Sequence, residues 1–226
     1  VHRVSRKIFY GALSRRTFPD GHLVAYGSCP AASGLRHERP RPYRTGAVRP
    51  FGTLCPRMAR TEVVEVLAAD SVTRLYGIVY LPFDREPGRK YPIISNVYPG
   101  PHVDLVPQAF TLDDNYNQSL AQLGFVVINF AYRGSGPWRG RDFHTFGYGN
   151  LRDYALADDM AAIRQIAARY PCADIERVGI YGHSGGGFMT VAAMLNHPEF
   201  YKVGVAASGN HDNNIYSSGG AKLSTE

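Results

Sequence analysis

The chain of 226 residues is 44% hydrophobic and 12% aromatic. That is enough for one domain with a sizeable core, and it excludes the disordered, collagenous and disulfide-rich classes of protein. The net charge of +6 comes from two unlike parts, because residues 1–60 hold twelve basic and two acidic residues and the remainder is slightly acidic.

The basic segment, residues 1–60, lacks the pattern of a folded element. Six of the fifteen prolines fall in it, and no apolar period extends beyond a few residues. A nucleic-acid-binding arm or a transit peptide would fit its charge. Because it has neither clustered aromatic and basic residues nor an amphipathic arginine helix, we expect a disordered extension or sequence outside the domain, no nucleic-acid partner, and the domain at residues 61–226.

Strands and helices alternate from residue 61 onwards. Strands are predicted at residues 62–67, 75–81, 92–98, 125–130, 177–181 and 202–208, and helices at residues 117–123, 153–169 and 185–195. In the second helix, apolar residues form one face, and Asp158, Asp159, Arg164 and Gln165 lie on the opposite, polar face. The alternation predicts an α/β fold with a mostly parallel sheet and flanking helices.

The sequence carries no recognised signal for a metal, a cofactor or a membrane span. Cys29, Cys55 and Cys172 are odd in number and lack C-x-x-C spacing, so neither a disulfide framework nor a metal site is predicted. The sequence has no H-E-x-x-H or Walker A string, and we expect no cofactor. The longest apolar run, residues 125–130, is too short for a membrane span, and the first 25 residues lack the apolar stretch of a signal peptide. The compartment and the oligomeric state stay open.

Residues 182–186 read Gly-His-Ser-Gly-Gly, a G-x-S-x-G string. A predicted strand runs directly into it and a predicted helix follows it, which is the context of the nucleophile elbow of α/β-hydrolases. Ser184 is therefore the predicted nucleophile, and the N–H of Gly185 is the predicted backbone donor to an oxyanion. The structural alternative is a glycine-rich turn with a bystander serine.

Four motifs in order carry a resemblance to a known family. They are residues 96–101 (NVYPGP), 131–136 (AYRGSG), 148–153 (YGNLRD) and 182–187 (GHSGGG). Over residues 61–217 the chain resembles the catalytic domain of prolyl oligopeptidase family serine peptidases, in the branch of dipeptidyl-peptidase IV. The resemblance implies hydrolysis of short peptides through an acyl-enzyme on Ser184. It also implies that the hydroxyl of Tyr98 donates to the oxyanion, that Tyr216 belongs to the substrate pocket, and that Arg133 is structural.

Two features depart from that family. Gly185 stands where the dipeptidyl-peptidase IV branch has an aromatic residue, so strict specificity for proline is not expected. The family's acid and histidine lie well downstream of the serine, and no residue here matches them. His183 adjoins Ser184 in the elbow, so its side chain points elsewhere, and His197 is about 20 Å along the helix from Ser184. His211 and Asp212 are adjacent to each other and next to the last predicted strand, so they cannot act on Ser184 as base and orienting acid. We therefore expect an N-terminal part of the catalytic domain that lacks the triad acid and histidine and is inactive by itself.

Two other functions remain open from the sequence. An esterase or acyl hydrolase would use the same fold, since a fold does not determine a substrate. A non-catalytic protein could instead use the basic segment to bind nucleic acid or another anionic surface.

Overall fold

A computed structural model describes residues 7–11, 59–100, 103–107, 115–150 and 153–211. All of these belong to one unit of the chain, Val1–Ala12 with Arg57–Glu226, and the other unit, Leu13–Pro56, lies outside the described residues. The structure adds one strand that the sequence did not predict, at Lys7–Gly11. The expectation that residues 1–60 are disordered or outside the domain stays a prediction.

The described residues form seven strands and four α-helices. The strands are β1 (Lys7–Gly11), β2 (Glu62–Leu67), β3 (Arg74–Tyr80), β4 (Tyr91–Asn96), β5 (Val126–Ala131), β6 (Ala173–His183) and β7 (Tyr201–Ala207). The helices are α1 (Asn117–Gln122), α2 (Arg141–His144), α3 (Leu156–Arg169) and α4 (Gly185–Asn196), and a 3₁₀ turn covers Pro137–Arg139. None of the helices in these described ranges is both long enough and apolar enough to cross a membrane.

The seven strands form one sheet in the order β1-β7-β6-β4-β5-β3-β2. Four neighbouring pairs are parallel, and the two pairs that involve β3 are antiparallel. The predicted α/β class with a mostly parallel sheet is thus confirmed. Because parallel strands end at the same edge, the loops after β4, β5 and β6 all lie at the carboxyl edge of the sheet.

The centre of the sheet is buried on both faces. All six residues of β5 (VVINFA) are buried, the pattern of a strand covered by helices on both sides. Helices α3 and α4 contact one or more of strands β2, β4, β6 and β7, and α1 contacts β3 and β5. Helix α3 thus packs against both β4 and β6, the two strands that lead into the candidate site, and α4 packs against β6.

The polar face predicted for α3 is exposed to solvent only in part: Arg164 is exposed, whereas its two aspartates are buried. Asp158 and Asp159 are each 0% exposed, because the loop after β5 covers the start of the helix and supplies partners for both carboxyl groups. Further along the helix, the Gln165 side chain accepts a hydrogen bond from the N–H of Leu67 (2.9 Å) and donates one to its carbonyl (2.7 Å). Gln165 thereby satisfies backbone groups on the edge strand β2, which would otherwise be open to pairing with another chain.

Candidate active site

Ser184 lies at the junction of β6 and α4, as the sequence predicts. Its backbone has φ 55° and ψ −117°, a conformation that residues other than glycine rarely adopt. The N–H of Ser184 donates to the Ala207 carbonyl at the end of β7 (2.8 Å), and its carbonyl accepts from the N–H of Phe188 in the first turn of α4 (3.0 Å). A strained residue held by both the sheet and the helix is the geometry of a nucleophile elbow.

The turn is possible because two glycines flank Ser184. A Cβ added at Gly182 or at Gly186 would lie closer than 3.0 Å to the Val97 carbonyl oxygen at the end of β4. A Cβ at Gly182 would also overlap the backbone of Gly186. Since those neighbours are backbone atoms, they cannot swing aside as a side chain could. The G-x-S-x-G spacing therefore records a close approach of three chain segments.

Tyr98 and Gly185 are brought together by this approach. Tyr98 follows β4 and is half-buried. A Cβ at Gly185 would stand 3.5 Å from Cζ of Tyr98, the ring carbon that bears the hydroxyl, and 3.0 Å from the Pro99 carbonyl oxygen. The aromatic ring is thus in contact range of the residue next to Ser184, on the side of the elbow where the helix begins.

The start of α4 favours negative charge. Its first turn contains no acidic side chain, and the Ser184 hydroxyl makes no capping hydrogen bond to the helix. The positive end of the helix dipole and the N–H groups of the first turn therefore face no competing carboxylate within α4. An oxygen atom that gains negative charge beside Ser184 would be stabilised there.

The described histidines do not pair with Ser184. His183 is exposed, and His197 follows the last residue of α4 and lies 3.7 Å from Glu199. Nδ1 of His144 lies 3.4 Å from the Ser135 carbonyl oxygen. The ring of His211 packs against Gly209 and Phe188. Within the part of the chain that the structure describes, no hydrogen bond joins a histidine to the hydroxyl of Ser184.

Arg133 belongs to an ion-pair network behind the site. Its guanidinium donates to both carboxylate oxygens of Asp158 (2.9 and 2.6 Å) and to Asp70 (2.7 Å), and it stacks 4.1 Å above the centre of the Phe146 ring. Hydrogen bonds from Thr73, with the Arg133 charge as a further cause, lower the pKa of Asp70 to about 2. These contacts agree with a structural role for Arg133, because they anchor the loop after β5 to α3 and to the β2–β3 turn.

Asp159 is the centre of a second buried network. Ser95 donates to one carboxylate oxygen (2.6 Å), Tyr132 donates to the same oxygen, and Tyr201 donates to the other (2.6 Å). Burial raises the pKa of Asp159, while the three hydroxyl donors oppose that shift. The carboxyl group therefore ties β4, the loop after β5, and β7 to α3.

Three residues at this edge carry no signal that sequence reasoning recognised. Asp158 and Asp159 look like ordinary polar-face residues of a helix, and their partners lie at least 25 residues away in the chain. Tyr154 follows the 148–153 motif, and its hydroxyl lies between the loops after β4 and β5, accepting from Gly100 N–H (3.0 Å) and donating to the Gly134 carbonyl (3.4 Å). The only sequence signal for it is its place beside a motif of the resemblance.

Tyr216, predicted to belong to the substrate pocket, and Asp212 lie outside the described residues. Their roles stay predictions. The roles of Ser184, Tyr98 and Gly185 also stay predictions, although the structure brings these three residues together at one edge of the sheet.

Several curated proteins are similar to this chain in sequence. Human dipeptidyl peptidase 8 is 34% identical to the chain over 148 residues, which are 64% of this chain and 16% of the relative. A probable dipeptidyl-aminopeptidase B of Aspergillus oryzae is 32% identical over 160 residues, 70% of this chain and 17% of the relative. The chain thus spans about a sixth of the length of these curated relatives.

Solved structures with the same fold were found as well. A putative dipeptidyl aminopeptidase IV from Bacteroides ovatus matches with a TM-score of 0.63 and 32% identity, over 68% of this chain and 22% of that one. Dipeptidyl peptidase 4 from Porphyromonas gingivalis matches with a TM-score of 0.64 and 29% identity, over 72% and 22%. At these identities the agreement extends beyond the fold to the sequence.

The sequence model of the prolyl oligopeptidase family matches residues 111–225, which are just over half of the chain and include the elbow with Ser184. With the mostly parallel sheet, the strained serine between β6 and α4, and the relatives above, this match shows that the chain belongs to the prolyl oligopeptidase family.

Proposed function

We propose that this chain carries the nucleophile of a serine peptidase that hydrolyses short peptides in the manner of a dipeptidyl peptidase. The observation that carries the proposal is the backbone of Ser184, at φ 55° between β6 and the first turn of α4. Strain of this kind persists where the surrounding structure imposes it, and it presents the serine oxygen at the sheet edge. The relatives named above are a dipeptidyl peptidase and a probable dipeptidyl-aminopeptidase, which is the support for this substrate class.

In the proposed reaction, Oγ of Ser184 attacks the carbonyl carbon of a peptide bond, and the negative charge moves to the carbonyl oxygen. The N–H of Gly185 and the hydroxyl of Tyr98 donate to that oxygen. The C–N bond then breaks, the amine leaves with a proton, and the acyl group stays on Oγ as an ester. Water hydrolyses the ester and restores the serine. The contact between the Tyr98 ring and Gly185 supports the assignment of these two donors.

A base must accept the Ser184 proton, and none of the described histidines is hydrogen-bonded to it. We therefore propose that the triad histidine is not among the described residues. Because no residue of the sequence matches the acid and the histidine of the family pattern, we also propose that the 226-residue chain alone hydrolyses little or nothing. Purified chain of this length should leave dipeptide nitroanilides intact. Cleavage at ordinary enzymic rates would contradict this part of the proposal.

The specificity proposed here is broad at the residue before the cleaved bond. Gly185, the residue after Ser184, has no side chain. We therefore propose that the pocket for the residue before the cleaved bond lacks one of the walls that would confine a proline ring. Tyr216 is proposed as an aromatic of the same pocket. The full-length gene product should cleave the nitroanilides of both glycyl-proline and glycyl-alanine, with kcat/KM values within about tenfold of each other.

The experiment uses the full-length gene product with free and N-acetylated dipeptide nitroanilides and with an aryl ester. Ser184→Ala should reduce hydrolysis on the order of 1,000-fold or more. Acetylation should abolish cleavage if dipeptides are released from a free amino end. Turnover of the ester alone would identify an acyl hydrolase instead. Activity that survives in Ser184→Ala would overturn the proposal.

A further inference from the structure

We infer that Tyr154 is a positioning residue for Tyr98, and that its hydroxyl controls how well the oxyanion is bound. The inference rests on the proposed function of Ser184 and Tyr98. It concerns a residue outside the four motifs, in the segment that leads into α3. The loop after β4 carries Tyr98, and the geometry of Tyr154 indicates what holds that loop in place.

The hydroxyl of Tyr154 joins two loops. It accepts a hydrogen bond from the N–H of Gly100 (3.0 Å), which is two residues after Tyr98, and it donates to the carbonyl of Gly134 (3.4 Å). Burial raises the pKa of Tyr154, so the hydroxyl keeps its proton at neutral pH and can act as donor and acceptor together. Only a side chain with both capacities satisfies both backbone groups from this position.

The Tyr154 ring is held in a slot between two glycines. A Cβ at Gly134 or at Gly147 would lie closer than 3.0 Å to carbon atoms of the ring. The edge of the ring also meets Phe146, with ring centres 6.4 Å apart. Phe146 in turn lies under the Arg133 guanidinium. Because the ring is confined on both sides, the hydroxyl is a fixed point rather than a mobile partner for Gly100.

Tyr98 has little freedom of its own relative to that fixed point. Only Pro99 separates it from Gly100, and the Pro99 carbonyl oxygen and the Tyr98 ring both lie against Gly185. A shift of Gly100 would therefore move the phenol relative to Ser184. Since an oxyanion donor must be placed to within a fraction of an ångström, such a shift lowers the rate of the chemical step more than substrate binding.

Tyr154→Phe tests the inference, because it removes the hydroxyl and keeps the ring in its slot. In the full-length protein we expect kcat to fall about tenfold with KM changed less than about twofold. The matched control is Tyr148→Phe, which removes the hydroxyl of a 40% exposed tyrosine in the same segment and should leave both constants unchanged.

A double-mutant cycle with Tyr98→Phe separates positioning from general destabilisation. If Tyr154 acts through the Tyr98 hydroxyl, Tyr154→Phe should have no further effect on kcat in the Tyr98→Phe background. An equal loss in both backgrounds, or no loss in either, would overturn the inference. If Tyr154→Phe does not fold, Gly147→Ala takes its place under the same criteria, since it crowds the ring and displaces the hydroxyl.

The Ser184→Ala control keeps the two proposals distinguishable. Loss of activity in Ser184→Ala with normal kinetics in Tyr154→Phe would leave the proposed function standing and remove only this inference. Hydrolysis that does not depend on Ser184 would overturn the proposed function and this inference with it.

Discussion

The elbow around Ser184 and the buried carboxylate networks beneath it are shaped in opposite ways. At the elbow, backbone segments meet so closely that Gly182 and Gly186 have no room for a Cβ. In the networks, Asp158 and Asp159 are fully buried and bind the surrounding loops through charge and hydrogen bonds. The first region is sensitive to added atoms, and the second is sensitive to lost charge and to pH. Substitutions in the two regions should therefore differ in size and in pH dependence.

The largest effect is expected for Gly186→Ala, because the new Cβ would collide with the backbone of Val97. We expect a loss of about 3 kcal/mol in the free energy of unfolding, measured by urea denaturation. Gly179→Ala is the matched control. It lies on β6, the strand that leads into the elbow, and its Cβ would have ordinary contacts at 3.6 Å or more, so its cost should stay below about 1 kcal/mol. Equal costs for the two variants would contradict the steric account of the elbow.

The contributions of Asp70 and Asp159 to the free energy of unfolding should change with pH in opposite directions. Hydrogen bonds from Thr73 lower the pKa of Asp70 to about 2, so its contribution to stability is present above the ordinary value of 3.8 and is lost as pH falls towards 2. Burial raises the pKa of Asp159 above 3.8, so its contribution is greatest below that value and is lost as pH rises through the raised pKa. Asp70→Asn and Asp159→Asn should remove these dependences.

Urea denaturation between pH 3 and pH 7 checks this prediction. The cost of Asp70→Asn should grow as pH rises from 3 to 5, and the cost of Asp159→Asn should shrink as pH rises from 4 to 7. Parallel pH profiles for the two variants would show that burial does not govern Asp159. The Gly186→Ala cost should be independent of pH in the same range, since it is steric.

The smallest effect concerns the strain at Ser184 itself. Glycine adopts φ 55° without conflict, whereas alanine carries the same Cβ as serine. Ser184→Gly should therefore be more stable than Ser184→Ala by about 1 kcal/mol, measured by thermal unfolding. If Ser184→Ala proved the more stable of the two, the backbone of the elbow would not be strained.

Local pattern was sufficient for one edge strand and for the turn at the site. Alternation of apolar residues predicts β2 at Glu62–Leu67, which is where the structure has it, and the glycine-rich string predicts the strand-to-helix turn at Ser184. Both features are short in sequence, and each is determined by neighbouring residues. The contact between Tyr98 and Gly185 is anticipated only through the resemblance to a family.

Other features depend on partners that are distant in the chain. A helical pattern records residue type, so it assigns Asp158 and Asp159 to a polar face and cannot reveal that Arg133 and Tyr132 cover them. Periodicity likewise does not give the strand order, in which β4 lies between β5 and β6. The role of the Tyr154 hydroxyl depends on two loops 20 and 54 residues away.

The central claim is that Ser184 is an activated nucleophile, and a fluorophosphonate probe tests it most directly. Attack by Oγ would displace fluoride and leave a phosphonyl ester on the serine. Mass spectrometry of the labelled full-length protein should place one adduct on Ser184, with labelling lost in Ser184→Ala and retained in Tyr148→Phe. Labelling of a different serine, or peptide hydrolysis by protein that leaves Ser184 unlabelled, would contradict the account.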